Sequence, residues 1–290
     1  MTELTQGPGW TLRPCRPEDG EIVLGLFHAL DVVEFGAEEA ELADVTSTLQ
    51  SSGRCWLAVA DRPAVGFCHT QSSGECDTVV DPAFNAALRP ALIRQVIKDG
   101  RSLGAGALEH WAGVGMRLTG PALEPFGFRH ARSSWELRQD SADLPAPTWP
   151  DRIALTPFDQ EQAEQVWALV TRAFAGGGFS HERPLPEWTR LFLDDATDVL
   201  CARRDGVLVG TAILSTRMQD AYVRQLAVAD SVRGLGLGRA LLLEAFARAA
   251  AAGRPGTSLG VDGANDDARR LYDSVGMTVV REYWRWDLDL

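Results

Sequence analysis

In the C-terminal half of the chain, short apolar blocks rich in β-branched residues alternate with longer segments whose apolar positions recur three and four apart. Blocks of the first kind predict strands, and spacing of the second kind predicts helices with one buried stripe. The pattern places strands near 152–156, 198–204, 207–216, 221–229, 257–262, 277–281 and 283–289. It places helices near 159–174, 185–195, 237–252 and 265–274, with Asn265 as an N-cap and Gly276 closing the last of them. The order of elements predicts an α/β fold: a mixed, mostly antiparallel sheet with helices on both faces.

The N-terminal half repeats this pattern. Val79-Val80-Asp81 corresponds to Val228-Ala229-Asp230, and the same ungapped offset aligns Phe126-Gly127-Phe128 with Val275-Gly276-Met277 and Trp135 with Trp284. Upstream, Val65-Gly66 matches Val209-Gly210 at a slightly shorter offset. The chain is therefore expected to be a tandem of two similar domains, 1–140 and 152–290. Residues 141–151 form the linker, where Pro145, Pro147 and Pro150 disfavour helix and sheet.

The densest chemical signal lies between the strand ending near 229 and the helix that follows. Arg233-Gly234-Leu235-Gly236-Leu237-Gly238 reads as a pyrophosphate cradle, because glycines let successive N–H groups turn toward one anion at a helix N-terminus. A dinucleotide fingerprint would begin directly after the strand with its glycines spaced G-x-G-x-x-G. A P-loop needs Gly-Lys-Ser/Thr, and the only lysine of the chain is Lys98. Taken alone, Gly-x-Gly-x-Gly is equally consistent with a turn that caps a helix.

A second segment, Asn265-Asp-Asp-Ala-Arg-Arg-Leu-Tyr-Asp-Ser-Val-Gly-Met277, puts Ala268, Leu271 and Tyr272 on one helix face. Together the two segments resemble the GNAT superfamily of acyl-CoA N-acyltransferases. Arg233, Gly236 and Gly238 match its Gln/Arg-x-x-Gly-x-Gly/Ala motif, and the second run matches Asn-x-x-Ala-x-x-Leu-Tyr-x-x-x-Gly-Phe except at Met277. A tandem with its intact copy second further resembles the mycothiol synthase-like proteins of actinobacteria.

The resemblance implies two GNAT-like domains and acetyl-CoA as co-substrate. It implies that Arg233, Gly234, Leu235, Gly236, Leu237, Gly238 and Arg239 hold the pyrophosphate. It also implies that Leu226, Ala227 and Val228 flank the pantetheine arm, with an amide of Leu226 or Val228 on the thioester oxygen. Asn265 would contact the cofactor, and Tyr272 matches the general acid that protonates the departing thiolate. For the general base the family commonly offers a strand glutamate, whose place is taken by Tyr222. Asp220 and Glu182 are the candidates, with Asp262 and His181 also considered. Phe179 and Trp188 flank the expected acceptor site, whereas Trp167 reads as core. In the first copy Phe84, Asn85, Ala87, Arg89 and Leu123 stand where the second has Arg233, Gly234, Gly236, Gly238 and Tyr272. That copy is expected to keep the fold without the acyl-CoA site.

The formal net charge of −12 disfavours nucleic acid and anionic membrane as partners and weakly favours a cationic amine. The five cysteines lack Cys-x-x-Cys spacing, so no metal is expected. With neither a secretory signal nor a membrane-length apolar run, a cytoplasmic monomer or homodimer is expected. The expected activity is N-acetyl transfer from acetyl-CoA to the primary amine of a small molecule. The alternatives are a protein acetyltransferase and a non-enzymatic acyl-CoA-binding sensor or scaffold.

Overall fold

The computed structural model describes residues 6–7, 9–36, 38, 40–51, 53–60, 64–113, 119–140, 144–175 and 183–290. Two compact units emerge, one of residues 1–133 with 282–290 and one of residues 134–281. The units are therefore not separated by a single cut at the proline-rich linker.

The first unit contains strands β1 (Gln6–Gly7), β2 (Trp10–Pro14), β3 (Arg54–Val59), β4 (Ala64–Thr70), β5 (Glu75–Val80) and β6 (Ala107–Gly113). Its helices are α1 (Gly20–Phe35), α2 (Leu42–Leu49), α3 (Asn85–Leu103) and the single turn α4 (Gly120–Leu123). Strand β7 (Arg129–Asp140) leads out of it. The second unit contains β8 (Ile153–Thr156), α5 (Ala163–Phe174), α6 (Leu185–Phe192), β9 (Thr197–Arg204), β10 (Val207–Ser215), β11 (Ala221–Val228), α7 (Leu237–Ala251), β12 (Gly256–Asp262) and α8 (Asp266–Ser274). The last strand, β13 (Thr278–Asp289), leads back.

Strand order in the second unit is β7-β12-β11-β10-β9-β8, with β11 and β12 parallel and the other pairs antiparallel. Every residue of β10 from Val209 to Ser215 is buried, as expected of a strand covered on both faces. On one face Ala212 and Leu214 pack with Leu237, Leu241 and Phe246 of α7. On the other, Ile213 and Ala227 pack with Val166 and Val170 of α5 and Trp188 of α6. The predicted α/β class, with a mostly antiparallel sheet between helices, is what the structure shows.

Three expectations change. Helix α5 starts at Ala163, because Asp159 accepts from the Glu161 amide at 3.0 Å and holds Gln160–Gln162 as a tighter 3-10 turn first. The two strands expected at 277–281 and 283–289 are one, since β13 contains no glycine, proline or asparagine to turn the chain. The last strand of each half also completes the other unit. Residues 134–140 of β7 pair antiparallel with β12, Trp135 opposite Val261, and residues 283–289 of β13 pair with β6, Trp284 opposite Ala112.

Candidate active site

The site arises where two parallel strands part. β11 and β12 pair only at Ala221 with Thr257 and Tyr222 with Ser258. Beyond this apex a cleft of about 1040 Å³ opens, lined by Val223–Val228 on one side and Leu259–Asp262 on the other. The pairing of β11 with β12 thus ends at Tyr222, and past it that edge of β11 faces the cleft rather than β12. The pairing of β11 with β10 shifts by one residue at Arg224, a β-bulge that kinks the strand beside the apex.

At the wide end of the cleft lies the glycine loop. Gly234 and Gly236 have φ of +78° and +87°, and a Cβ placed on either would meet no heavy atom within 4 Å. The constraint there is therefore backbone conformation rather than crowding. Gly236 is the N-cap of α7 and offers no side-chain acceptor to the first turn. Among the described residues, no carbonyl or side chain accepts from the amides of Gly234 to Arg239. Six successive donors without an acceptor at a helix N-terminus have the chemistry that an anion such as a phosphate requires. Arg233, Gly234, Gly236, Leu237, Gly238, Arg239 and Asn265 line the cleft with Leu226, Ala227 and Val228, whereas the Leu235 side chain faces solvent. Asn265 caps α8 by accepting from the Ala268 amide at 3.1 Å.

Tyr272 projects from α8 into the same cleft and is 8% exposed. Burial raises its phenol to about 12, so it keeps its proton throughout the neutral range. Asp220 does not join it. This carboxylate is absent from the cleft lining and receives two hydrogen bonds from Arg138 of β7, Nε to Oδ2 at 2.5 Å and Nη2 to Oδ1 at 3.2 Å. A carboxylate held this way anchors the strand end, outside the cleft. Glu182, His181 and Phe179 lie outside the described residues. Asp262 lines the cleft but sits at its wide end, about 13 Å along β12 from the apex at Ser258 at ~3.3 Å per residue.

On the face covered by α5 and α6, Trp167, Phe174, Trp188 and Phe192 line the cleft. Trp167 is thus a wall residue as well as a packing one, with its Nε1 donating to the Arg183 carbonyl at 2.9 Å. The Arg224 guanidinium lies 4.9 Å from the centre of the Phe192 ring and 3.6 Å from Asp194. Trp188 donates through Nε1 to Oε1 of Gln225 at 3.0 Å. Gln225 and Phe192 as wall residues escape sequence inspection. The alternation of β11 could have aimed Gln225 at the same face as Ala227, but nothing in the sequence announces its partner on α6.

The first unit has the same parting strands with a different filling. β5 and β6 pair in parallel only at Glu75 with Glu109 and Cys76 with His110. Strand registers correct the ungapped alignment. Gly66 pairs with Val80 and Gly210 with Val228, so Val80 rather than Val79 corresponds to Val228. An added Cβ at Gly66 would meet Leu88 and Leu92, and one at Gly210 would meet Leu237 and Leu241. Arg89 therefore does correspond to Gly238, and the connection before the helix is one residue shorter in the first unit. In place of the cradle, α3 simply begins a turn earlier at Asn85. Arg89 is 1% exposed, and its Nη1 donates to the Thr78 carbonyl at 3.0 Å. His110, fully buried, lies 3.0 Å from the Thr78 hydroxyl.

Comparison with known proteins agrees with this geometry. Residues 163–277 match the family model described as acetyltransferase (GNAT) family. The mycothiol acetyltransferase of Thermobispora bispora is 31% identical over 82% of this chain and 83% of its own. That of Thermomonospora curvata is 29% identical over 78% and 79%. Among solved structures, a GCN5-related N-acetyltransferase from Sphaerobacter thermophilus superposes with a TM-score of 0.80 at 21% identity, covering 98% of this chain and 97% of the other. A tandem GNAT protein from the clavulanic acid biosynthesis pathway gives 0.76 at 15% identity, over 97% and 98%. The chain belongs to the GNAT acetyltransferase family and is an acyl-CoA-dependent acetyltransferase.

Proposed function

We propose that the second unit transfers an acetyl group from acetyl-CoA to the primary amine of a small molecule, and that the first unit binds no acyl-CoA. The observation that carries this reading is the convergence, in one cleft, of six unpartnered loop amides with a buried, protonated Tyr272. Bound acetyl-CoA supplies the activated thioester. The amides of Gly234–Arg239 hold its pyrophosphate, and the unpaired edge of β11 bonds the pantetheine amides. Both interactions deliver the acetyl group to the apex before chemistry begins. The amine nitrogen then bonds the acetyl carbon as the carbon–sulfur bond breaks, and Tyr272 gives its proton to the departing sulfur. Among the described lining residues no carboxylate stands at the apex, so the amine loses its own proton to water in the open cleft.

In the first unit α3 already begins at Asn85, whose amide bonds the Pro82 carbonyl, and Arg89 donates to the Thr78 carbonyl on the edge that pantetheine would need. The mycothiol acetyltransferases to which this chain is similar are consistent with a small-molecule acceptor. Thiol release from acetyl-CoA with a panel of small amines, run beside calorimetry with CoA, tests the proposal. Stoichiometric CoA binding and amine-dependent release are expected. A second bound CoA per chain would refute the assignment of the first unit.

A further inference from the structure

We infer that Gln225 positions the acceptor, and that the acceptor is an amine on an aromatic or apolar body with an oxygen atom close to its nitrogen. This inference rests on reading the cleft as an acetyltransferase site.

The indole N–H of Trp188 can only donate, so its 3.0 Å contact fixes which end of the Gln225 carboxamide faces it. Oε1 is bound to Trp188, and the two Nε2 hydrogens must point elsewhere. Gln225 lines the cleft, and its one side-chain hydrogen bond among the described residues is the one its Oε1 accepts from Trp188, which leaves Nε2 open to the cleft. Trp188 is itself held firmly. It is 3% exposed, and its ring centre lies 5.8 Å from that of Phe192. The donor is therefore aimed in advance, with the conformational freedom of the glutamine already lost.

Its position matters as much as its orientation. Gln225 follows the bulge at Arg224, stands opposite Ile213 on the α5 and α6 side, and is three residues from the apex at Tyr222. That is where an amine would approach the thioester from the face opposite α8. Trp167, Phe174 and Phe192 give this side apolar walls. Thr171, Arg183 and Arg224 also line the cleft, with Arg183 paired to Glu187 and Arg224 to Asp194, and the pre-aimed Gln225 donor among these walls favours a ligand that presents an oxygen on a largely apolar body. A donor left unmatched inside a complex is penalised, and this penalty separates an amine bearing the oxygen from its counterpart without it.

The test uses full-length protein saturated with CoA and compares two ligands of the same body by calorimetry: the O-methyl ether of phenylalaninol, whose ether oxygen can only accept, and 1-phenylpentan-2-amine, in which a methylene replaces that oxygen. The wild type is expected to bind the ether at least ten-fold tighter. Gln225→Glu keeps the shape and the bond to Trp188 but turns the inward donor into an acceptor, so the ratio should fall to near one. Any general attraction of the new charge for ammonium groups cancels in that ratio. Trp188→Phe, which releases the carboxamide to rotate, should lower the ratio partway. Equal binding in the wild type, no binding of either amine, or a preference that survives Gln225→Glu would overturn the inference. An unchanged ratio in Trp188→Phe would overturn the orienting role of Trp188. Acetylated product is measured in parallel. Preference in binding without product would sink the transferase reading and leave this one standing.

Discussion

Arg138, carried on β7, closes on Asp220 with both Nε and Nη2, joining the strand that pairs with β12 to the turn that enters β11. Its side chain and that of Asp220 are 30% and 27% exposed, so solvent screens the pair only in part. Asp220→Asn should lower stability by about 1–2 kcal/mol, by weakening charge-assisted bonds while leaving a hydrogen-bonding isostere. The pH–rate profile of acetyl transfer should keep its shape. Thermal unfolding beside that profile checks both statements, and loss of the acidic limb in the variant would restore Asp220 as a base.

Tyr272→Phe should reduce kcat by about 10²-fold, within the range for removal of a positioned acid, while the affinity for CoA stays within a factor of two or so. Because burial lifts the phenol to about 12, the wild-type rate should show no loss of the acid below about pH 11. A descending limb at pH 8 to 9 that vanishes in Tyr272→Phe would contradict the environment described for this residue.

The glycine loop predicts two separable failures. Gly236→Ala forces a Cβ into φ of +87° at a cost of about 1–2 kcal/mol, and the KM for acetyl-CoA should rise as the cradle relaxes. Gly238→Arg copies Arg89 of the first unit and should abolish CoA binding in calorimetry. An added Cβ at Gly238 would lie 3.1 Å from Leu271 Cδ2, so circular dichroism must show that the variant remains folded.

The first unit should be acid-sensitive. Burial, with the nearby Arg89 cation, pushes His110 down to about 4 from an ordinary 6.5. Between those values the unfolded chain binds the proton that the folded chain refuses, so stability falls as pH drops from 6.5 toward 4. For His110 alone the full span is about 3 kcal/mol. Burial shifts His69 the same way, whereas it raises the Asp77 carboxyl and produces an opposing slope. The discriminating measurement is therefore the change in slope of denaturation midpoint against pH on His110→Asn. A slope identical to wild type would remove His110 from the account.

Much of the second unit was legible because its signals are local. Asn265 caps α8 through the Ala268 amide three residues away, and Gly234 and Gly236 adopt the left-handed conformation that their spacing suggests. What stayed hidden depends on distance or on ambiguity. Asp220 reads as an open carboxylate until Arg138, far upstream in the sequence, is brought to it. The partners of β7 and β13 could not be chosen from pattern, because the two strands derive from the same repeat and carry the same matched tryptophans, Trp135 and Trp284. The residue missing from the first glycine-loop position disappeared into an ungapped alignment, since Leu88 and Leu237 do correspond while Val79 and Val228 do not.

The crossing of β7 and β13 bears on how such a duplication endures. Residues 134–140, encoded with the repeat whose slot holds Arg89, supply the strand that pairs with β12 in the unit that holds Tyr272. Deleting the earlier repeat from the gene would strip that strand and expose the hydrogen-bonding edge of β12. Natural selection on catalysis in the second unit alone would thus preserve the earlier repeat as well, and the two copies must be inherited as one piece.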